Sequence, residues 1–214
     1  MFFSYPLGKL DKLLTRTPET ERPQIRTRIF CLYRDLVLVL LLYNVLIQIL
    51  AITTADLEDP AEMEFSMLKK PLHFYKDRSQ APKWLSEANE KILTADALLL
   101  ISCEYNHCIP PALSNMVDHF PGSSFAWKPS GLITYSPGIY GGMRAAMQLR
   151  ALTGELGCIS VSNIFGIPEV HKAIDENGTA LNSHMDSGLE KLMKQLDWTA
   201  TAFKNMRSTN GVPS

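Results

Sequence analysis

Two short polar stretches hold most of the residues that could do chemistry. The first, Cys103-Glu104-Tyr105-Asn106-His107, sets a carboxylate, a phenol ring, a carboxamide and an imidazole side by side. The second, Tyr135-Ser136-Pro137-Gly138-Ile139-Tyr140-Gly141-Gly142, is rich in glycine and carries one more aromatic ring. Glycines let backbone approach a ligand closely, and a helix starting after Gly142 offers free N–H groups. Stacking surface combined with amide-type hydrogen bonds suits a flat heteroaromatic ring with polar edges. Two ordinary solvent-facing turns would leave the same pattern.

Other chemistries fit these residues less well. Cys103 or Cys108 could be paired with His107 as a nucleophile and base, but sequence neighbours rarely face each other and no orienting third group is evident. Glu104 as a general base has no second titrating partner. His171 and His184 are isolated and read as solvated. Gly141-Gly142 is no phosphate loop of the Lys-Ser/Thr type, since neither residue follows. The four cysteines show neither a CxxC pair nor a zinc-ligand spacing, so the expectation is reduced thiols and no metal.

The elements that must position the two stretches can be read from the flanking pattern. Ala97–Ser102 is a continuous apolar run, as in a strand buried on both faces. Pro110-Pro111 marks a helix start, and Leu113, Met116, Val117 and Phe120 recur at helical spacing, with Asn115, Asp118 and His119 on other faces. Ala81–Thr94 predicts a helix with Trp84, Leu85, Ala88, Ile92 and Leu93 in one stripe. Ser130–Tyr135 reads as a second strand, Met143–Leu156 as a helix, Cys158–Ile164 as a third strand and Leu189–Phe203 as a final helix. Such alternation implies a parallel sheet with helices on both faces, a doubly wound three-layer α/β/α domain. Ligands bind such sheets at the carboxyl ends of the strands, where both polar stretches fall.

The remaining chain is less informative. A length of 214 residues fits one domain, and a net charge of −1 gives no basic stripe for nucleic acid. Gly8–Arg16 could form a short amphipathic helix, and Thr17–Arg28 reads as a polar linker. Leu36–Ile52 is the most apolar run and follows Arg26, Arg28 and Arg34. As a helix it would span about 26 Å, short of a bilayer core of about 30 Å. Buried core with one or two strands is the preferred reading, which makes the protein cytoplasmic; a membrane anchor through the same run is the alternative. Ala55–Gln80 is loop-like, a lid or a cover packed on a neighbouring surface.

Glu104-Tyr-Asn106 followed by Pro110, Leu113, Asn115 and Asp118 resembles the E-Y-N-x-x-x-P-x-x-L-x-N-x-x-D signature of the NADPH-dependent FMN reductases. These are flavodoxin-like enzymes that reduce free flavin, quinones or azo dyes. Tyr135–Gly142 is similar to that family's second flavin loop, and Arg144-Ala-Ala-x-Gln148-Leu-Arg150 and Gly154-Glu-Leu-Gly157 continue the likeness, which runs from about Ile52 to Leu181. The resemblance implies FMN as cofactor, NADPH or NADH as co-substrate, a small-molecule acceptor and a homodimer. By position, Glu104, Tyr105 and Asn106 would edge the isoalloxazine and ribityl groups. Ser136, Pro137, Gly138, Gly141 and Gly142 would set backbone against the ring, with Tyr140 near its face. No protein residue need be catalytic, because the flavin carries the hydride.

Two departures from the family stand out. Cys103 occupies the place where proline often precedes the E-Y-N. Upstream, no G-S-x-R-type loop for the FMN phosphate is recognisable. If Leu36–Leu42 and Leu46–Thr53 were the first two strands, too few residues would remain for a crossover helix, which needs about a dozen. If Ile25–Tyr33 were the first strand, Arg34–Ile49 could be the helix, but no Gly/Ser turn precedes it. The expectation is therefore an atypical N-terminal segment over 1–50, such as a variant transcript would give, with an altered first βαβ unit, and a flavodoxin-like domain over 51–207. FMN retention is impaired in this reading. The alternative is a non-enzymatic flavodoxin-like protein that has lost flavin binding.

Overall fold

The computed structural model describes residues 25–32, 53–58, 66–173 and 180–213. Among these, five strands form one parallel sheet: β1 (Ile25–Leu32), β2 (Thr53–Glu58), β3 (Ala97–Cys103), β4 (Pro129–Tyr135) and β5 (Ile159–Ile167). Their order is β2-β1-β3-β4-β5, the flavodoxin-like order for an open doubly wound sheet. The helices are α1 (Lys83–Thr94), α2 (Pro111–Asp118), α3 (Gly122–Phe125), α4 (Met143–Glu155), α5 (Val170–Ala173) and α6 (Ser183–Asn210).

The apolar run that predicted β3 is buried throughout, because helices cover both its faces. Ala97, Leu99, Ile101 and Cys103 join a cluster with Ile133, Phe165, Leu189, Leu192 and Leu196 on the α6 side. Leu98 and Leu100 join Leu132 of β4 and Leu85, Ile92, Leu113, Met116 and Leu149 from α1, α2 and α4 on the other. The alternation of strand side chains thus divides one apolar sequence between two cores. Pro111 opens α2 in its first turn, where a missing N–H costs nothing.

Several boundaries differ from expectation. The strand at Ile25–Leu32 is the second of the two N-terminal alternatives, and it pairs with both β2 and β3. It takes Ile25–Arg28 out of the expected linker. Thr53–Glu58 is a strand, although Ala55–Gln80 reads as loop. A polar sequence such as Thr-Thr-Ala-Asp-Leu-Glu is tolerated there because β2 lies at the sheet edge, where its pattern carries little core signal. Residues 33–52, between the two strands, lie outside the described residues, as do Gly8–Arg16 and Leu36–Ile52. Among the described residues, no helix is long and apolar enough to cross a membrane.

Leu93 is exposed on α1 and leaves the predicted stripe, whereas His119 is buried. Its Nδ1 meets the Asn115 carbonyl at 2.6 Å, and its own carbonyl accepts from Leu72 N–H at 2.9 Å. Asn115 holds the same segment, accepting from Leu68 N–H at 2.8 Å and donating to the Ser66 carbonyl at 3.0 Å. The described part of the long loop is therefore a cover pinned to α2. At the other end of the chain α6 exceeds its predicted span, because Asn182 caps it by accepting from Met185 N–H at 3.2 Å.

Candidate active site

Both polar stretches leave the carboxyl ends of neighbouring strands, since Cys103 pairs with Tyr135 in the β3–β4 ladder. The ladder continues one step further, with Glu104 N–H donating to the Tyr135 carbonyl at 3.2 Å. Beyond it the first stretch closes into a two-residue turn. Tyr105 N–H donates to the Cys108 carbonyl at 3.1 Å, and Cys108 N–H donates back at 2.8 Å. Asn106 and His107 both have positive φ, 50° and 66°, as the primed turn of a tight hairpin requires. Asparagine tolerates that conformation well, and the imidazole residue occupies a place that glycine would fill with less strain. Tyr105, Asn106 and His107 are all exposed.

Glu104 is placed quite differently from its neighbours. Its carboxylate is nearly buried, and Oε2 accepts from the backbone N–H groups of Arg144 and Ala145 at 3.0 and 3.1 Å. The other oxygen, Oε1, lies 3.6 Å from Arg144 Nη1. Gly142, the residue before α4, has no side chain to cap the helix, and Glu104 does so from another loop. The role as a general base is thus removed, because both oxygens already serve α4.

The second stretch splits into two parts. Pro137, Gly138, Ile139 and Tyr140 are exposed, whereas Gly141 and Gly142 are buried. Both glycines have positive φ, 59° and 76°. A Cβ at Gly141 would sit 2.9 Å from the Ile167 nitrogen, and one at Gly142 would sit 2.9 Å from Thr134 Cβ. Their close approach is therefore to the protein's own β5 and β4, and Thr134 Oγ1 ties the turn further by donating to the Gly141 carbonyl at 2.9 Å. Next to Gly138 the space is open, with only Ser136 Oγ within reach, at 3.9 Å from such a Cβ. Ser136 Oγ donates to the Gly138 carbonyl at 3.1 Å and shapes the bend. Tyr140 carries the Arg144 guanidinium over its ring, 4.5 Å from the centroid.

A cysteine–histidine nucleophile is not supported by these surroundings. Cys103 is buried, and burial pushes its thiol up, against a hydrogen bond with Tyr135, so the reactive thiolate is disfavoured. His107 lies on the exposed turn, and His171 is likewise exposed. His184 is exposed but not isolated: its ring packs 5.4 Å from that of Phe165, and Nε2 lies 3.3 Å from the Gly166 carbonyl. What remains at the tip is a binding surface of two exposed tyrosines, a carboxamide and bent backbone.

Two side chains from α4 complete the tip; by sequence they fall within the family likeness without being assigned to the site. Arg144 stacks on Tyr140, and Gln148 reaches the first turn, donating from Nε2 to the His107 carbonyl at 2.9 Å and accepting from Ile109 N–H at 3.2 Å. Their four-residue spacing, which puts both on one helix face, was the available signal.

The pattern of the NADPH-dependent FMN reductase family matches residues 45–172, more than half of the chain. An NADH:(hydroxy)cinnamate reductase subunit of Vibrio ruber is 26% identical over 141 residues, covering 63% of this chain and 70% of its own. A quinone reductase of Escherichia coli is 32% identical over 74 residues, covering 33% of this chain and 39% of its own length. Among solved structures, the flavoenzyme NAD(P)H:(acceptor) oxidoreductase FerB of Paracoccus denitrificans superposes with a TM-score of 0.65 at 20% identity. That superposition covers 85% of this chain and 98% of the other.

Proposed function

The chain belongs to the NADPH-dependent FMN reductase family, and from that membership we propose an FMN-dependent NAD(P)H oxidoreductase whose ring site is the tip built by residues 104–107 and 136–142. The family implies FMN as cofactor and NAD(P)H as co-substrate. The observation that carries the assignment to this tip is that Tyr105 and Tyr140, both exposed, stand on loops from paired strands that Glu104 ties to one helix. The donor set suits a flat ring, with aromatic faces, a carboxamide and an open approach beside Gly138. Bound FMN would supply the hydride relay, and the protein's own part is to bind, orient and shield.

In this reading Tyr105 and Asn106 meet the ring edge, Ser136, Pro137 and Gly138 offer backbone, and Tyr140 lies near a ring face. Glu104 acts from behind, as the cap that keeps both loops in register, and Gly141 and Gly142 let the second loop lie flat on the sheet. The acceptor is a small conjugated molecule, such as a quinone, a free flavin or an azo compound. Relatives named for quinone and (hydroxy)cinnamate reduction support that class. The protein acts in the cytoplasm. A competing reading, a fold that has lost flavin and works through its surface, draws on the missing G-S-x-R-type loop.

The absorbance spectrum of the full chain titrated with flavin separates the two. Tyr105→Ala, and Asn106→Gly, which keeps the positive φ, should each weaken ring binding by about 1–3 kcal/mol. His184→Ala should leave it unchanged. Equal affinities for all three variants would take the first turn out of the site.

A homodimer belongs to the same proposal. Ile139, Tyr140, Met143 and Met147 are 69%, 60%, 38% and 56% exposed, an apolar stripe running from the second loop along α4. Light scattering should give twice the chain mass for the native protein and the single chain mass for Met147→Glu. A monomer before substitution would end the dimer reading.

A further inference from the structure

The turn at residues 105–108 is an awkward one to hold still. Two consecutive residues with side chains have positive φ, and the turn's own two backbone hydrogen bonds close only its base. Its approach to the second loop depends on what ties it to α4. Upstream, Glu104 grips the first backbone N–H groups of that helix. Downstream, the carboxamide of Gln148 spans the turn's exit, its nitrogen donating to the His107 carbonyl and its oxygen accepting from Ile109 N–H. Gln148 lies four residues beyond Arg144, so the two ties sit one helical turn apart on one face of α4.

We propose that Gln148 is a positioning residue for the flavin site, holding the 105–109 turn to α4 through both ends of its amide so that Tyr105 and Asn106 meet a ring at a fixed distance from the 136–140 loop. This rests on the flavin assignment for what the turn touches, but the tie itself does not. Only a carboxamide serves both partners. A carboxylate of the same length can accept from Ile109 N–H yet repels the His107 carbonyl, and an aliphatic chain of similar size serves neither. The side chain is exposed on the helix surface, so its loss leaves no cavity in either core.

The test compares the full-length native chain with Gln148→Leu and Gln148→Glu. Amide exchange followed by NMR in the flavin-free protein should show Ile109 exchanging about tenfold faster in Gln148→Leu. The β3 amides and the melting temperature should stay as in the native chain. With riboflavin, which isolates the ring, the concentration for half-maximal NAD(P)H oxidation should rise about tenfold while kcat at saturating flavin is kept. Gln148→Glu should fall between the two. Unchanged Ile109 exchange, or a loss of kcat in step with melting temperature, would overturn the positioning role. If the native chain binds no flavin, the functional assignment fails, and the Ile109 amide still decides whether Gln148 holds the turn.

Discussion

FMN is expected to bind this protein weakly, to be lost on purification, and to have little advantage over riboflavin. In the resembled family a G-S-x-R-type loop after the first strand holds the phosphate. Here the strand is β1, and the sequence following Leu32 is Tyr33-Arg34-Asp35-Leu36, without glycine or serine. Each charge-assisted bond to a phosphate is worth roughly 1.5–3 kcal/mol, and a helix N-terminus adds roughly 0.3–1 kcal/mol. Losing two or three such bonds costs about 3–9 kcal/mol, or about two to six decades in dissociation constant.

Partial rescue by a basic residue is restricted by the strand register. Arg28 pairs with Leu98 and Arg26 with Thr54, at the amino end of the sheet. Leu32 pairs with Ser102, so the chain leaves β1 beside the tip and Arg34 comes two residues later. Arg34 is therefore the basic residue to test. Titration by flavin fluorescence should give micromolar or weaker binding for FMN, within about tenfold of riboflavin, and Arg34→Gln should remove whatever difference exists. Submicromolar FMN with riboflavin far behind would show a phosphate site built from residues that the sequence pattern does not reveal.

How much could be read before the structure depended on where the signal was stored. β3, α2, β4 and α4 were legible because burial on both faces writes a continuous apolar run, and because Pro111 and Gly142 punctuate their ends. β1 and β2 were not. Ile-Arg-Thr-Arg-Ile mixes charge into an internal strand, and Thr53–Glu58 is an edge strand with almost no apolar pattern. The polar tip was legible as a tip, since a carboxylate, a ring and a carboxamide in succession stand out after Ala97–Cys103. The roles within it were not. Glu104 looks like its neighbours in sequence, but its partners are backbone groups 40 and 41 residues away. Gly141 and Gly142 suggested room for a ligand, whereas the space they spare is filled by strands β4 and β5. Asn115 showed the same limit, because the signature names it without giving it a role, and its side chain pins the 66–68 cover.

The largest effect on stability is expected at the opposite, amino end of the strands, where Asp96 precedes β3. Asp96 is buried, and its two oxygens meet Lys204 Nζ at 2.8 Å and Arg207 Nη2 at 3.3 Å. Arg207 also donates to the Trp127 carbonyl at 2.9 Å, which fixes the last turns of α6 against the start of β4. Lys128, next to Trp127, is buried with its ammonium donating to the Ser124 carbonyl. Burial first, and then the Arg207 charge, bring the Lys128 amine down to about 8, while Asp96 pulls the other way. Asp96→Asn removes the one carboxylate described among these three cations and should destabilise the fold by about 3–5 kcal/mol. Lys204 and Arg207 can turn partly to water, but Lys128 cannot.

Replacing that lysine should do the reverse. The unfolded chain keeps a lysine proton to about pH 10.4, whereas folded Lys128 releases it near 8. Between those values the unfolded state holds more protons, so this group makes stability rise with pH. Below pH 8 the buried charge costs on the order of 3 kcal/mol, and Lys128→Met should recover part of it at pH 7. Cys158 opposes the rise at higher pH. Burial pushes its thiol up to about 12, while an unfolded cysteine ionises near 8.5, so above about pH 9 the folded state keeps the extra proton and stability falls. Urea unfolding should therefore show a short climb between pH 8 and 9 in the native chain that is absent in Lys128→Met. The gap between the two proteins should narrow steadily toward pH 10. A constant gap from pH 7 to 10, or an Asp96→Asn variant as stable as the native chain, would mean that the cluster is solvated and contributes no buried charge.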